Sequence, residues 1–104
     1  MWHVIFTKQA AKDAKRLKAA GLEKKAKQLV EVVRADPFAA PPAFEGLVGS
    51  LEGLYSRRIS LLHRFVYAVD ATPATIDGEQ FQGTIKVVRM WTHYELSLIH
   101  ISEP

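Results

Sequence analysis

The chain has 104 residues, of which 48% are hydrophobic and 24% charged, a composition typical of one folded domain rather than a disordered segment. It contains no cysteine, which excludes disulfides, cysteine-ligated metals and thiol catalysis and favours a reducing compartment, the cytoplasm. No apolar run approaches the ~20 residues needed to cross a bilayer, so we expect no membrane association.

The N-terminal half predicts a strand followed by two helices. Trp2–Phe6 is rich in aromatic and β-branched residues, as strands are, and lacks the pattern of a signal peptide. Thr7 is placed to cap a helix over Lys8–Ala20, which Gly21 ends. A second helix is predicted over Leu22–Ala35, before a proline. The short connection predicts an antiparallel helical hairpin.

Apolar residues recur at helical spacing in both segments and predict the buried faces. In the first helix the expected buried positions are Ala11, Ala14 and Leu17. In the second helix they are Leu22, Ala26, Leu29, Val30 and Val33.

The net charge of +3 is unevenly distributed. Between Lys8 and Lys27 there are eight Lys or Arg residues against Asp13 and Glu23, a local net charge of +6. Such a basic surface favours a polyanionic partner, with nucleic acid the leading candidate. The alternative is a solubilising helical face. The candidate RNA contacts on these helices are Lys12, Lys15 and Lys24.

The C-terminal half predicts strands. After the proline- and alanine-rich loop 37–42, the segment 44–50 has no clear assignment. Three strands are then expected over Leu54–Ser60, His63–Asp70 and Thr84–Trp91. The polar, glycine-containing stretch Ala71–Gly83 is expected to be a long hairpin loop. The plan is α+β in one domain: an N-terminal strand, a two-helix hairpin and an antiparallel meander, with the helices packed on one face of a twisted sheet.

The last nine residues, 96–104, read LSLIHISEP and continue no earlier pattern. They match a translated reading frame of a common sequencing-library adaptor, so we expect a non-native tail and a natural domain over residues 1–95. A genuine apolar tail that docks on the sheet is the alternative. We expect the 1–95 form to be at least as active as the full chain.

Several side chains have the chemistry that metal-independent RNA cleavage requires. A base must take the proton of a ribose 2′-OH, a cation must stabilise the charged phosphorane-like state, and an acid must protonate the departing 5′ oxygen. Glu45 is the candidate base, or else a solvated loop glutamate. Arg64, on a rigid strand, is the candidate phosphate clamp, or else a surface charge.

The other candidates follow from strand alternation and from the chain's end. Alternation puts Arg57 and Arg58 on opposite faces, so only one of them can join a given site. His93 is a suitable acid near neutral pH, and Tyr94 can stack on a base or bind phosphate. The alternative is that this pair only closes the sheet. His63 is expected to be structural. No metal site or cofactor motif is present in the sequence.

Two stretches resemble the Txe/YoeB toxins of the RelE/ParE superfamily. They read FEGLVGSLEGLYSRRISLLHRFVYAV, over 44–69, and VVRMWTHYE, over 87–95. The resemblance implies a RelE-like fold and a ribosome-dependent mRNA endonuclease that cuts in the ribosomal A site. It implies Glu45 as general base, Arg64 as phosphate-stabilising arginine and His93 as general acid. It also implies Tyr94 as the terminal tyrosine and Arg58 as the supporting arginine.

The resemblance also implies partners. These are a YefM/Axe-type antitoxin, the ribosome and its mRNA, frequent homodimers, and operator DNA only through the antitoxin complex. The chain departs from the family at Val48, where a basic residue is usual, and in its longer 71–83 loop. The rival interpretations are a ParE-like gyrase inhibitor and a non-catalytic RNA- or ribosome-binding module.

Overall fold

The computed structural model describes residues 1–91 of the chain. The predicted catalytic residues His93 and Tyr94 and the predicted tail 96–104 lie outside this range. The strands are β1 (His3–Phe6), β2 (Phe44–Gly46), β3 (Leu54–Arg58), β4 (Arg64–Asp70), β5 (Ala74–Ile76), β6 (Glu79–Phe81) and β7 (Thr84–Arg89). The helices are α1 (Lys8–Ala19) and α2 (Glu23–Ala35), with a 3-10 turn at Gly49–Leu51.

Five strands form the main sheet in the order β1-β7-β4-β3-β2. Strands β2, β3, β4 and β7 pair antiparallel, as the predicted meander requires, while β1 pairs parallel with β7. A parallel neighbour needs a long connection, and here that connection is the chain from Thr7 to Gly83, which begins with the helical hairpin. The fold is therefore the predicted α+β arrangement, with a mixed sheet.

The helices pack on one face of this sheet, where the main core forms. Leu17 of α1 and Leu29 of α2 are buried against Phe65, Ile85 and Val87. The Thr7 hydroxyl accepts a hydrogen bond from the amide of Ala10, which confirms the predicted N-cap of α1. Gly21 has a positive φ of 78° and ends the first helix as expected.

The buried face of α1 differs from the prediction at two positions, since Ala14 is only partly buried. Ala11 is exposed, and the buried positions are Ala10, Asp13 and Leu17. A carboxylate therefore lies in the centre of the helix's inward stripe. The prediction missed it because charged residues are assigned to the surface by default, and only a full set of hydrogen-bond donors makes such burial tolerable.

The opposite face of the sheet is covered more thinly. Leu54, Val66 and Val88 form a second, smaller cluster there. Leu47, which precedes the 3-10 turn, and Leu51, which ends it, pack against this cluster. The unassigned segment 44–50 thus supplies both an edge strand and part of the cover of this face.

The stretch Ala71–Gly83 is more ordered than the predicted loop. It contains a separate two-stranded hairpin in which β5 pairs antiparallel with β6. At its end, Gly83 passes so close to its neighbours that an added Cβ would lie 2.6 Å from the Trp2 ring and nearer still to the Asp70 carbonyl oxygen. Only glycine fits where the hairpin rejoins β7. Within residues 1–91, no helix is long and apolar enough to span a membrane.

Candidate active site

The candidate site forms where β2, β3 and β4 lie side by side. Glu45 pairs in register with Ser56, and Ser56 pairs with Val66. Because side chains alternate along a strand, Glu45, Ser56 and Arg64 project from the face opposite the helices. Sheet pairing thus brings together a carboxylate and a guanidinium that are 19 residues apart in sequence.

The central contact is an ion pair between Arg64 and Glu45. An Arg64 Nη2–H donates to Glu45 Oε1 at 2.6 Å, and Arg64 Nε–H donates to Ser56 Oγ at 2.8 Å. The Arg64 side chain is 8% exposed, whereas that of Glu45 is 57% exposed. The guanidinium is thus held in place by the sheet, while the carboxylate remains open to an incoming hydroxyl group.

Arg58 adds a second guanidinium to the same face. It lies directly opposite Arg64 in the β3–β4 register and is exposed. Like charges at directly opposed positions disfavour a sheet unless an anion offsets them. Glu45 offsets one of the two charges, so the pair of arginines is suited to a further anionic group such as a phosphate.

These side chains share an open cavity of about 500 Å³. Its lining residues are Lys25, Pro42, Ala43, Phe44, Glu45, Arg58, Ile59 and Arg64. Three cations and one carboxylate therefore surround a space large enough for part of a nucleotide chain. Among residues 1–91, no group of three or more His, Asp or Glu side chains is placed to hold a metal ion.

The predicted lysine contacts lie at different places. Lys25 of α2 lines the cavity, although the sequence had favoured its neighbour Lys24. Lys24 lines a separate groove along α2, together with Lys27 and Glu31. Lys12 and Lys15 are exposed on α1. The structure thus brings Glu45, Arg58 and Arg64 together, and places the three predicted lysines on the helices.

Arg57 faces the other way, as alternation predicts, and is fully buried. Its Nη1 and Nη2 groups donate to the carbonyl oxygens of Pro42 at 2.6 Å and Pro37 at 3.0 Å, and its Nε–H donates to the Tyr67 hydroxyl at 3.1 Å. The guanidinium also lies 4.9 Å from the ring centroid of Phe44. Arg57 therefore ties the proline loop, and the start of β2, to the core.

Burial raises the pKa of Tyr67 above its ordinary value of 10.0, although the hydrogen bond and positive charge of Arg57 act in the opposite direction. The neutral phenol both accepts from Arg57 and donates to the Pro37 carbonyl oxygen at 2.7 Å. The phenol thus reinforces the attachment of the loop that precedes Glu45.

The end of the described chain is held beside the β3–β4 connection. The His63 ring stacks on Trp91 with a centroid separation of 4.0 Å, and its Nδ1 is hydrogen-bonded to the Trp91 carbonyl oxygen. His63 therefore has a structural contact, as expected. Val48, at the position where the resemblance implies a basic residue, is 82% exposed and supplies no charge to the site.

Sequence reasoning missed the burial of Asp13 and of Arg57, and the position of Lys25. Asp13 had a signal, since it lies three residues after Ala10 and four before Leu17, in the middle of an apolar stripe. For Arg57, alternation predicts a face opposite to that of Arg58 but does not say which of the two arginines is buried. Nothing in the sequence distinguished Lys25 from Lys24, because only the packing of α2 decides which lysine meets the cavity.

Comparison with known proteins gives a consistent result. The family model for the YoeB-like toxin of bacterial type II toxin–antitoxin systems matches residues 6–94. No curated protein matches the chain significantly. Among solved structures, a YoeB/ParE toxin from Agrobacterium tumefaciens is 26% identical, with a TM-score of 0.73 over 88% of this chain and 99% of that one.

Two toxin–antitoxin complexes are also similar. The YoeB–YefM complex from Staphylococcus aureus contains a chain that is 29% identical, with a TM-score of 0.67 over 90% of this chain and 99% of that one. The DinJ–YafQ complex from E. coli contains a chain that is 17% identical, with a TM-score of 0.69 over 91% and 96% of the two chains. At 17% identity, the similarity to the E. coli chain shows a shared fold alone.

Proposed function

Because this chain belongs to the YoeB-like toxins of bacterial type II toxin–antitoxin systems, we propose that it is a metal-independent endoribonuclease that cleaves mRNA in the ribosomal A site. The observation that carries the proposal is the Glu45–Arg64 ion pair at 2.6 Å, beside Arg58 in an open cavity. An exposed carboxylate next to a buried guanidinium suits a reaction that removes a proton and builds negative charge on a phosphate.

In the proposed reaction, Glu45 takes the proton from the ribose 2′-OH. The freed oxygen attacks the adjacent phosphorus, and the bond to the 5′ oxygen breaks, which leaves a 2′,3′-cyclic phosphate. Arg64 and Arg58 stabilise the added negative charge on the non-bridging oxygens. As Glu45 becomes protonated, its ion pair with Arg64 weakens, so the guanidinium is released toward the phosphate at the moment when its charge is needed.

His93 is proposed to protonate the departing 5′ oxygen, and Tyr94 to position the RNA. These two roles follow from the family pattern and from the chemistry of imidazole and phenol near neutral pH. Met90 and Trp91 follow the end of β7 at Arg89, and only Thr92 separates them from His93 in sequence.

The partners are proposed from the similar structures and the family. A YefM-type antitoxin would neutralise the toxin, since a similar chain from S. aureus forms a YoeB–YefM complex. A homodimer is also proposed, because a S. aureus YoeB dimer is among the similar structures. The ribosome and its mRNA would be the cytoplasmic targets, and operator DNA would be bound only through the antitoxin complex.

Primer extension on an mRNA after induction of the toxin tests the proposal. Glu45→Ala and His93→Gln should each reduce codon-specific cleavage by about 100-fold or more, because general acid–base catalysis contributes about 10²–10⁴-fold. Glu52→Ala is the matched control, since Glu52 is an exposed glutamate after the 3-10 turn that does not line the cavity.

The outcomes separate the rival functions. Full cleavage by both variants would rule out the acid–base assignment. Growth arrest without cleavage, by the unmodified chain, would instead favour a gyrase-inhibiting toxin. Ribosome binding without either effect would favour a non-catalytic module.

A further inference from the structure

Asp13 is a fully buried carboxylate whose contacts converge on the end of β7. Its Oδ2 accepts from Arg89 Nε–H at 2.8 Å and from the backbone amide of Met90 at 3.0 Å. Its Oδ1 accepts from Gln9 Nε2 at 3.1 Å and from Arg89 Nη2 at 3.4 Å. Four donors thus compensate for the burial of one negative charge.

The next residue, Trp91, is held from a different part of the chain. His63 stacks on its ring and is hydrogen-bonded to its carbonyl oxygen, while the Arg16 guanidinium lies 5.8 Å from the Trp91 ring centroid. Because a carbonyl oxygen only accepts, the His63 Nδ1 carries the proton in this contact. The backbone is therefore fixed at two successive residues, Met90 by an amide and Trp91 by a carbonyl.

We propose that Asp13 and His63 are positioning residues, which fix Met90 and Trp91 and so set the placement of the catalytic residues His93 and Tyr94. The proposal rests on the function proposed above, because it requires that His93 act in the reaction. Three peptide units separate Met90 from His93, a span of at most about 11 Å. The anchored backbone is therefore close in sequence to the proposed acid.

A purely structural role would not require this arrangement. Arg89 alone could neutralise Asp13, and α1 already packs on the core through Ala10 and Leu17. The extra hydrogen bond to the Met90 amide lies one residue beyond Arg89, the last residue of β7 that pairs with β4 within residues 1–91. Asp13 thus fixes a backbone amide one residue past the end of β7.

A double-mutant cycle with His93→Gln tests the proposal on the full chain with programmed ribosomes. Asp13→Ala and His63→Phe should each lower kcat by about 10- to 100-fold while KM stays unchanged, because displacement of a catalytic group by about 1 Å has effects of this size. In the His93→Gln background the same substitutions should cause no further loss, since the group they position is already absent.

Two further variants serve as controls. Asp13→Asn should recover most of the activity, because its amide oxygen can still accept from the Met90 amide. His3→Phe should have no effect on kcat, since His3 is a partly buried histidine whose ring centroid lies 5.1 Å from that of Phe81, in the separate β5–β6 hairpin. His63→Phe retains an aromatic ring against Trp91, so it decides the question alone if Asp13→Ala fails to fold.

Each result has one meaning. Losses that are equal in the two backgrounds would overturn the proposal, because Asp13 and His63 would then act independently of His93. A rise in KM at constant kcat would also overturn it. Full activity of His93→Gln by itself would instead refute the proposed acid, and the positioning role would be refuted with it.

Discussion

Arg57 and Arg58 are adjacent in sequence and have opposite roles. Arg57 is buried on the helix side of β3, where oxygens of Pro37, Pro42 and Tyr67 surround it. Arg58 is exposed on the other side, in the cavity with Glu45. The alternation of a strand is the whole cause of this division. The two arginines can therefore be compared directly, one for its contribution to stability and the other for its contribution to the site.

Replacement of each arginine by methionine should separate stability from activity. Arg57→Met should lower the free energy of unfolding by about 2–5 kcal/mol, because it leaves buried oxygens without their donors. Arg58→Met should change that free energy by less than about 0.5 kcal/mol, yet reduce cleavage by about 10-fold or more. Urea unfolding measures the stability of both variants, and a cleavage assay measures their activity. An Arg58→Met variant that is clearly destabilised, or that keeps full activity, would contradict the prediction.

At the scale of the element, α2 places its successive lysines on different surfaces. Residues one apart on a helix do not face each other, so Lys25 meets the cavity while Lys24 meets a separate groove. The helix therefore contributes a cation to a site that is otherwise built from strands. This cation is notable because Val48 supplies none.

Lys24→Ala and Lys25→Ala form a matched pair that tests this difference. If RNA occupies the cavity, Lys25→Ala should weaken RNA cleavage by about 10-fold, the value of one charged hydrogen bond to phosphate, and Lys24→Ala should have a smaller effect. Cleavage rates at subsaturating ribosome concentrations measure it. A larger loss for Lys24→Ala would place the RNA contact on the outer surface of α2, as the sequence had favoured.

For the whole molecule, the distribution of charge is the relevant property. The basic residues of Lys8–Lys27 lie on the two helices, and apart from Lys25, which lines the cavity, they are on the opposite side of the sheet from the Glu45–Arg64 pair. Docking on ribosomal RNA through this surface and cleavage at the sheet would then use different faces of the protein. Docking would depend on long-range electrostatic attraction, whereas cleavage would depend on short-range contacts in the cavity.

Ribosome affinity should therefore fall steeply with ionic strength, and the slope of log K against log salt should decrease by about one for each phosphate contact removed. Lys12→Gln and Lys15→Gln should each reduce the slope. Lys86→Gln removes the same charge from the sheet and should leave the slope nearly unchanged. Binding titrations over a range of salt provide the measurement, and an affinity insensitive to salt would exclude the helices as the docking surface.

Much of this protein follows from local sequence. The period of apolar residues, the cap at Thr7 and the glycine at 21 predict both helices, and the β-branched and aromatic runs predict β1, β3, β4 and β7. Alternation alone separates Arg57 from Arg58. These features depend on neighbours within a few residues, which is why the sequence determined them.

Only the tertiary structure decided the rest. The Glu45–Arg64 contact depends on the register of three strands, and the choice of Lys25 over Lys24 depends on how α2 lies against the sheet. The burial of Asp13 required donors from Arg89 and Met90, 76 and 77 residues away in sequence. A charge can be buried only where distant donors converge, and no local pattern records that convergence.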